Sequence, residues 1–284
     1  MKKILIWGMA LLAVSCQIET PELSQESISI RCAYPETRAT ATAFESNDAI
    51  SLFAVEREGE EQVPLQVSGN YINNERVVFD GTTWGAGRPL FWSEKPCDFY
   101  ALYPFQSHIS SIEKQPFSLA TDQNGAGYES SDLLYAVSEN VSRLDGAVNL
   151  SFKHMMSKVV VRLVKGEAFE GEIPDDVVAH IYNTIASCNV NLASGSVEKD
   201  AFGTKPTITM RKISNERFEA VIVPQNIEKR TPLIELSMGG IAYLLEYSLS
   251  FRPGYVHYID LTLNTSPDQE QIEISIDPDI EGWN

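Results

Sequence analysis

Hydrophobic and polar residues alternate along the last part of the chain, in the pattern expected of a β-strand. Polar and acidic side chains occupy the positions between the apolar ones. The apolar residues that share one face of this segment (QIEISIDPDIEGWN) are Ile272, Ile274, Ile276 and Ile280. No further strand follows it, so the sequence leaves open whether its partner lies in the same molecule or in another.

A second alternating segment lies near the N-terminus, within ISIRCAY. The residues on its apolar face are Ile28, Ile30, Cys32 and Tyr34. A single arginine, Arg38, follows in a Thr- and Ala-rich stretch. Two strands of matching period, one at each end, with a cleavable residue beside the first, predict that strands are exchanged between subunits.

Short strands separated by turn residues fill the chain between these two segments. Asp80-Gly81 lies between two apolar runs, and Gly239-Gly240 joins PLIELSM to IAYLLEYSL as a two-residue hairpin. The stretch 115–130, which contains Gly125 and Gly127, is interpreted as a surface loop. No segment sustains an apolar period of three to four residues over the length of a helix. The pattern therefore predicts an all-β fold of two tandem β-sandwiches, 39–143 and 144–284.

The first residues have the layout of an export signal. Lys2 and Lys3 precede an uninterrupted apolar run, 4–14, which is too short for a permanent membrane span. Cys16 follows directly after small Ser15, as in the bacterial lipobox, where this thiol is lipidated. We therefore expect a signal peptide at 1–15, a lipidated prosegment at 16–38, and a lipid on Cys16 that holds the protein at the outer membrane.

The remaining cysteines, Cys32, Cys97 and Cys188, are odd in number and show no metal-ligand spacing. Cys97 and Cys188 are interpreted as small buried apolar residues, and a disulfide between them is an alternative that their spacing does not support.

Composition and motifs argue against several classes of function. A net charge of −17 disfavours sequence-independent nucleic-acid binding, which requires a basic surface. The sequence holds no zinc-protease, nucleophile-elbow or phosphate-binding motif. We therefore expect no catalytic residues, no metal and no cofactor. A glycoside hydrolase would need two facing carboxylates that sequence spacing cannot establish.

Several segments together resemble the fimbrillin family, which comprises lipoprotein-derived subunits of type V pili in Bacteroides-type bacteria. In order along the chain, the segments that carry the resemblance are TRATATAFESNDAISLFA, PLFW, DFYALYP, SDLLYA, VNLSFKHMMSKVVVRL, FEAVIVPQ and FRPGYVHYIDLTL. They extend from Thr37 to the C-terminus.

The resemblance implies two transthyretin-like β-sandwich domains and a structural rather than enzymatic role. It also implies that an arginine-specific protease cuts between Arg38 and Ala39, which removes the strand at 28–34 and opens a groove. A strand from the next fimbrial subunit, matching 270–283 here, would then fill that groove. The implied partners are other fimbrial subunits, the protease and the outer membrane.

A second hypothesis remains open, since stalk, anchor and tip subunits are not distinguished by the sequence. A surface lipoprotein or tip adhesin that binds glycan or a host protein would use exposed aromatic side chains as stacking platforms. The tryptophans considered for this role are Trp84, Trp92 and Trp283.

Overall fold

The chain folds almost entirely into β-strands, as the alternating pattern predicts. The structure, a computed structural model, describes residues 26–35, 43–228, 231–264 and 274–283, with the backbone alone for 274–278. The one α-helix in these ranges is the six-residue α1 (Ala126–Ser131), and a 3-10 turn covers Arg143–Asp145.

The first half of the described chain holds eleven strands. In chain order they are β1 (Ile30–Ala33), β2 (Ala49–Glu56), β3 (Ile72–Phe79), β4 (Trp84–Ala86), β5 (Cys97–Tyr103), β6 (Gln115–Ser118), β7 (Leu134–Val141), β8 (Val148–Ser151), β9 (Lys153–His154), β10 (Ser157–Lys165) and β11 (Val178–Ile181). The second half continues with β12 (Ser187–Asn191), β13 (Ser196–Lys199), β14 (Ile208–Thr209), β15 (Arg211–Ser214), β16 (Arg217–Ile222), β17 (Gln225–Asn226), β18 (Pro232–Met238), β19 (Ile241–Glu246), β20 (Ser250–Phe251), β21 (Tyr255–Leu263) and β22 (Ile274–Gly282).

An eight-stranded sheet in the order β8-β1-β4-β3-β2-β5-β7-β9 forms the first structural unit. Its two end strands, β8 and β9, are separated in sequence only by Phe152, so the sheet folds back on itself around a closed interior. We call this interior the N-terminal core. Its buried residues are Ile30, Ile50, Leu52, Ala54, Ile72, Val77, Leu90, Cys97, Phe99, Ala101, Tyr103, Leu134, Ala136, Val141, Val148, Leu150 and Phe152.

The central strands of this sheet are covered on both faces. In β2, Leu52 and Ala54 face the N-terminal core, whereas Phe53 and Val55, which alternate with them, belong to a second cluster, the main core. In β5, Phe99 and Tyr100 divide in the same way. Burial on both faces explains why these segments are nearly continuous in apolar residues rather than strictly alternating.

The main core is completed by four smaller sheets. A five-stranded sheet has the order β15-β16-β10-β21-β22, and a four-stranded sheet the order β14-β11-β18-β19. Three strands, β13-β12-β6, and the pair β17-β20 form the others. Strand β10 pairs antiparallel with β16 and parallel with β21, and its residues Val159 to Val161 are fully buried.

The structure bears on two local predictions. Gly239 and Gly240 do form the turn between β18 and β19, with Met238 paired to Ile241 across it, so the hairpin is confirmed. The interpretation of 115–130 as a surface loop is wrong. That stretch contains β6 and most of α1, because Phe117 and Tyr128 pack into the main core and β6 pairs with the distant β12.

The predicted division near residue 143 lies between β7 and β8, both of which belong to the eight-stranded sheet. Strand β6, which precedes this point, pairs with β12, which follows it. The separation into two sandwiches stays a prediction.

Candidate functional site

The first strand, β1, is held on both sides by other strands although it begins the described chain. It runs parallel to β8 in a register that pairs Ile30 with Val148 and Ala33 with Ser151. On the other side, Ile30 pairs with Trp84 of β4, and the backbone N–H of Ile28 donates to the carbonyl of Leu90 at 2.7 Å. Removing this segment would therefore leave unpaired backbone groups on two neighbouring edges.

The side chains of this segment alternate as the sequence predicts. Ser27, Ser29, Arg31 and Ala33 are exposed, whereas the residues between them are buried or half-buried. Those inward residues, all of which pack against the N-terminal core, are Ile28, Ile30, Cys32 and Tyr34. Burial raises the pKa of the Cys32 thiol to about 12, so this sulfur stays protonated and serves as packing. The segment thus fills a row of apolar slots.

The last strand, β22, lies at the edge of the five-stranded sheet. It pairs antiparallel with β21 along its whole length, from Leu263 opposite Ile274 to Tyr255 opposite Gly282. Among its described side chains, Asp279, Ile280 and Glu281 are exposed, with Ile280 at 42%. The C-terminal strand is thus folded against its own sheet in the monomer, at a position with one free edge.

Trp283, directly after β22, is the buried end of this strand. Only 3% of its surface is exposed, and its backbone N–H donates to the carbonyl of Gly254 at 2.7 Å. Its indole ring stacks on the imidazole of His154, with ring centroids 3.7 Å apart and planes within 8°. The Nζ of Lys158 lies 5.9 Å from the indole centroid, so the ring contacts an ammonium group as well as an imidazole.

One carboxylate connects this tryptophan to the first strand. Asp132 Oδ1 lies 2.8 Å from Nδ1 of His154, and the hydroxyl of Tyr34 donates to Asp132 Oδ2 at 3.1 Å. The Tyr34 ring also meets the His154 ring edge-on, with centroids 5.8 Å apart. Tyr34 and Trp283, from opposite ends of the chain, therefore contact the same histidine.

Tyr34 and Trp283 border a cavity of about 450 Å³. Besides Tyr34 and Trp283, it is lined by Ala43, Glu45, Asp48, Tyr103, Tyr128, Glu129, Asp132, Lys158, Arg211, Ile213, Arg217 and Glu219. Its cations are paired: Lys158 and Arg217 both contact Glu219, at 2.9 and 2.7 Å, and Arg211 contacts Glu129 at 3.1 Å. Burial raises the pKa of Glu219, but the two cations outweigh it and hold that pKa below its usual value.

The predicted site residues fall partly outside the described part of the chain. Cys16, Arg38, Ala39 and Ile272 lie there, so lipidation and processing stay predictions. Ile274 and Ile276 lie in β22, opposite Leu263 and Leu261, and Ile280 lies opposite His257. Cys97 and Cys188 are free and both are 2% exposed, the former in the N-terminal core and the latter in the main core.

The three tryptophans considered for ligand stacking are packed against the protein itself. Trp84 stacks on Phe79 at 5.2 Å, Trp92 meets Phe99 edge-on, and Trp283 is buried. The roles of Trp283, His154 and Asp132 were not predicted from the sequence. A large aromatic residue placed directly after an alternating strand, and out of phase with its isoleucines, is the signal that marks Trp283.

Within the described ranges, no group of three His, Cys, Asp or Glu side chains is arranged to hold a metal ion. In the same ranges, no helix combines the length and the hydrophobicity that a membrane span requires.

Comparisons with known proteins match the chain over nearly its whole length. A family model described as fimbrillin-like matches residues 37–283. No curated protein matches the sequence. A candidate cell adhesion protein from Bacteroides uniformis has a solved structure with a TM-score of 0.70 and 16% identity, covering 93% of this chain and all of its own.

Two further solved structures are similar. A candidate cell adhesion protein from Bacteroides ovatus gives a TM-score of 0.71 at 16% identity, covering 92% of this chain and 99% of its own. A fimbrial protein from Bacteroides vulgatus gives a TM-score of 0.57 at 14% identity, covering 91% of this chain and 99% of its own. At these identities the likeness establishes the fold.

Proposed function

Because the chain belongs to the fimbrillin-like family, whose members are structural rather than enzymatic proteins, we propose that it is a fimbrial subunit that polymerises by strand exchange. In this proposal β1 is the removable strand, and the C-terminal segment 270–283 of a neighbouring subunit takes its place. The protein acts at the cell surface as part of a fimbria.

The observation that carries the proposal is the way β1 is embedded. It is paired with β8 on one side and with the 84–90 segment on the other, while its alternate side chains enter the N-terminal core. A groove left by this strand would present unpaired N–H and C=O groups together with a row of apolar slots. Only an extended strand of period two can satisfy both requirements.

The C-terminal segment has the properties of a strand that could fill such a groove. It has four isoleucines on one face, and burial of each would contribute about 1.5–3 kcal/mol. It occupies the edge of its sheet, so its departure leaves the remaining four strands of that sheet paired with one another. Since donor and acceptor lie at different places on the subunit, each contact leaves a free donor and a free groove, and filaments result.

Processing and anchoring complete the proposal. Lipid on Cys16 would hold the precursor at the outer membrane, and cleavage between Arg38 and Ala39 by an arginine-specific protease would remove β1 together with the lipid. The supporting features are the signal-like N-terminus and the position of Arg38 shortly after β1.

The test is cleavage of the purified unprocessed protein with an arginine-specific protease, followed by N-terminal sequencing and size-exclusion chromatography. We expect a new N-terminus at Ala39 and a ladder of multimers. Arg38→Ala should abolish both. Arg31→Ala is the matched control, because Arg31 lies within the paired strand β1 and its loss should leave processing unchanged.

Deletion of residues 270–284 should leave cleavage intact and prevent multimers. Multimers formed by the deleted chain, or cleaved chains that stay monomeric, would contradict strand exchange through this segment. Mass spectrometry of the membrane-bound precursor tests the lipid on Cys16 separately.

A further inference from the structure

Besides its backbone pairing with β21, the C-terminal strand is held to its own subunit by one buried side chain, that of its last described residue. The side chains of Asp279, Ile280 and Glu281 are exposed, and the hydroxyl of Tyr258 reaches Glu281 only at 3.4 Å. Trp283, by contrast, is buried, stacked on His154 and tied to Gly254 through its backbone. Before β22 can leave its sheet, the Trp283 ring must come out of this buried position.

The imidazole on which the ring stacks is not part of the five-stranded sheet. His154 belongs to β9, the end strand of the eight-stranded sheet. Its imidazole is oriented by Asp132, whose Oδ1 lies 2.8 Å from Nδ1. Stacking at 3.7 Å with nearly parallel planes depends on that orientation, so the position of Asp132 affects how well Trp283 is held.

The segment that contains the first strand also contacts His154. Tyr34, which follows β1, donates its hydroxyl to the second oxygen of Asp132 and packs edge-on against the imidazole. Tyr34 is in turn held by Phe44, at a centroid distance of 5.0 Å. The order of contacts is Tyr34, Asp132, His154 and Trp283, each in direct contact with the next.

We propose that the first and last strands are energetically coupled through this chain of contacts. Loss of β1 removes Tyr34, and with it the hydrogen bond to one oxygen of Asp132 and one neighbour of the imidazole. The stacking of Trp283 on His154 is then weaker, which promotes release of β22. Coupling of this kind is reciprocal, so a docked Trp283 also stabilises β1. This inference rests on the proposed function, because it assigns a regulation to the proposed strand exchange.

The coupling gives the subunit an order of events. A subunit that retains β1 keeps its own C-terminal strand docked, and a subunit that has lost β1 offers a groove and a strand together. Premature pairing between unprocessed subunits is thereby suppressed.

The test uses the uncleaved full chain, so it does not depend on processing or on polymerisation. Hydrogen exchange measured by mass spectrometry reports the opening of β22, with peptides from β10 as the internal reference for global unfolding. Tyr34→Phe removes the hydroxyl alone. We expect exchange in β22 to rise by about 2- to 10-fold relative to β10, the range that one hydrogen bond supports. Trp283→Ala should raise it further.

Tyr182→Phe is the matched control, since Tyr182 also donates its hydroxyl to a carboxylate, Glu235, at 3.2 Å, in the four-stranded sheet. It should leave β22 unchanged. In the double variant Tyr34→Phe with Trp283→Ala, the tyrosine change should add nothing to the β22 rate, because its effect passes through Trp283.

Unchanged β22 exchange in Tyr34→Phe, or fully additive effects in the double variant, would overturn the coupling. Equal acceleration in β10 and β22 would also do so, since it would show only global destabilisation. None of these results depends on cleavage at Arg38. Failure of the coupling and failure of the proposed function are therefore separate outcomes.

Discussion

The ring of Trp283 stacks face to face on the ring of His154, with centroids 3.7 Å apart, and this contact joins the C-terminal strand to the eight-stranded sheet.

Trp283→Ala should lower the free energy of unfolding by about 3 kcal/mol, because it deletes a buried aromatic side chain and leaves a cavity beside His154. Urea denaturation followed by circular dichroism measures this change. Glu281→Ala, two residues away at an exposed position, is the control and should alter stability by less than about 0.5 kcal/mol. Equal stability of the two variants would show that Trp283 does not anchor the strand.

Ile30→Ala should destabilise the unprocessed protein by about 3 kcal/mol, since Ile30 is buried in the N-terminal core. The same change should have no effect on multimers formed after cleavage, because residue 30 leaves with β1. Thermal unfolding of the precursor and electron microscopy of the cleaved product measure the two effects. An effect on the processed multimers would show that β1 remains in them.

Ile280→Asp distinguishes the monomer from the polymer. Ile280 is 42% exposed in the monomer, so the change should lower its free energy of unfolding by only about 1 kcal/mol, the scale of strand propensity. If this side chain enters an apolar slot of the next subunit, a buried unpaired carboxylate should block assembly. Asp279→Asn, next to it and also exposed, is the control and should assemble normally. Normal assembly of Ile280→Asp would exclude Ile280 from the interface.

Mild acid should destabilise the fold through His257. Burial, together with the nearby Arg252 guanidinium, lowers the pKa of His257 from 6.5 to about 4, so the imidazole is neutral when folded and accepts the backbone N–H of Arg252 at 3.1 Å. The unfolded chain binds a proton at higher pH than the folded one. The contribution of His257 to the free energy of unfolding is therefore fully present above pH 6.5. It is lost as the pH falls toward 4, by about 3 kcal/mol.

The free energy of unfolding at pH 7 and pH 4.5 measures this loss. His257→Gln should reduce the difference between the two pH values by about 2 kcal/mol. His108→Gln, at an exposed position, is the control. A difference that is unchanged in His257→Gln would assign the acid sensitivity to other groups.

Local features of this fold could be predicted from the sequence, because they depend on residues close together in the chain. The alternation of Ile28 to Tyr34 gave the inward face of β1 correctly, and Gly239-Gly240 gave a hairpin. The resemblance to the fimbrillin family is also confirmed.

Pairings between distant segments could not be predicted in this way. The parallel alignment of β1 with β8 and the pairing of β6 with β12 involve segments that share only a period of two, which any strand would satisfy. The contacts of Trp283 were missed for the same reason. A tryptophan that stacks on His154 and a tryptophan that stacks on a ligand look the same in the sequence. Only the position of β9, which carries His154, distinguishes the two cases.

The parallel pairing of β1 also determines when the strand becomes secure as the protein is made. Its pairing with β4 rests on Ile30 alone, whereas its continuous partner begins at Val148, far downstream. Because the N-terminus is synthesised first, this ladder cannot be completed until β8 has been made. Such non-local contacts also form slowly. In biogenesis, the strand proposed to leave first thus stays largely unpaired until the middle of the chain has been made, which gives a chaperone or a protease time to reach it.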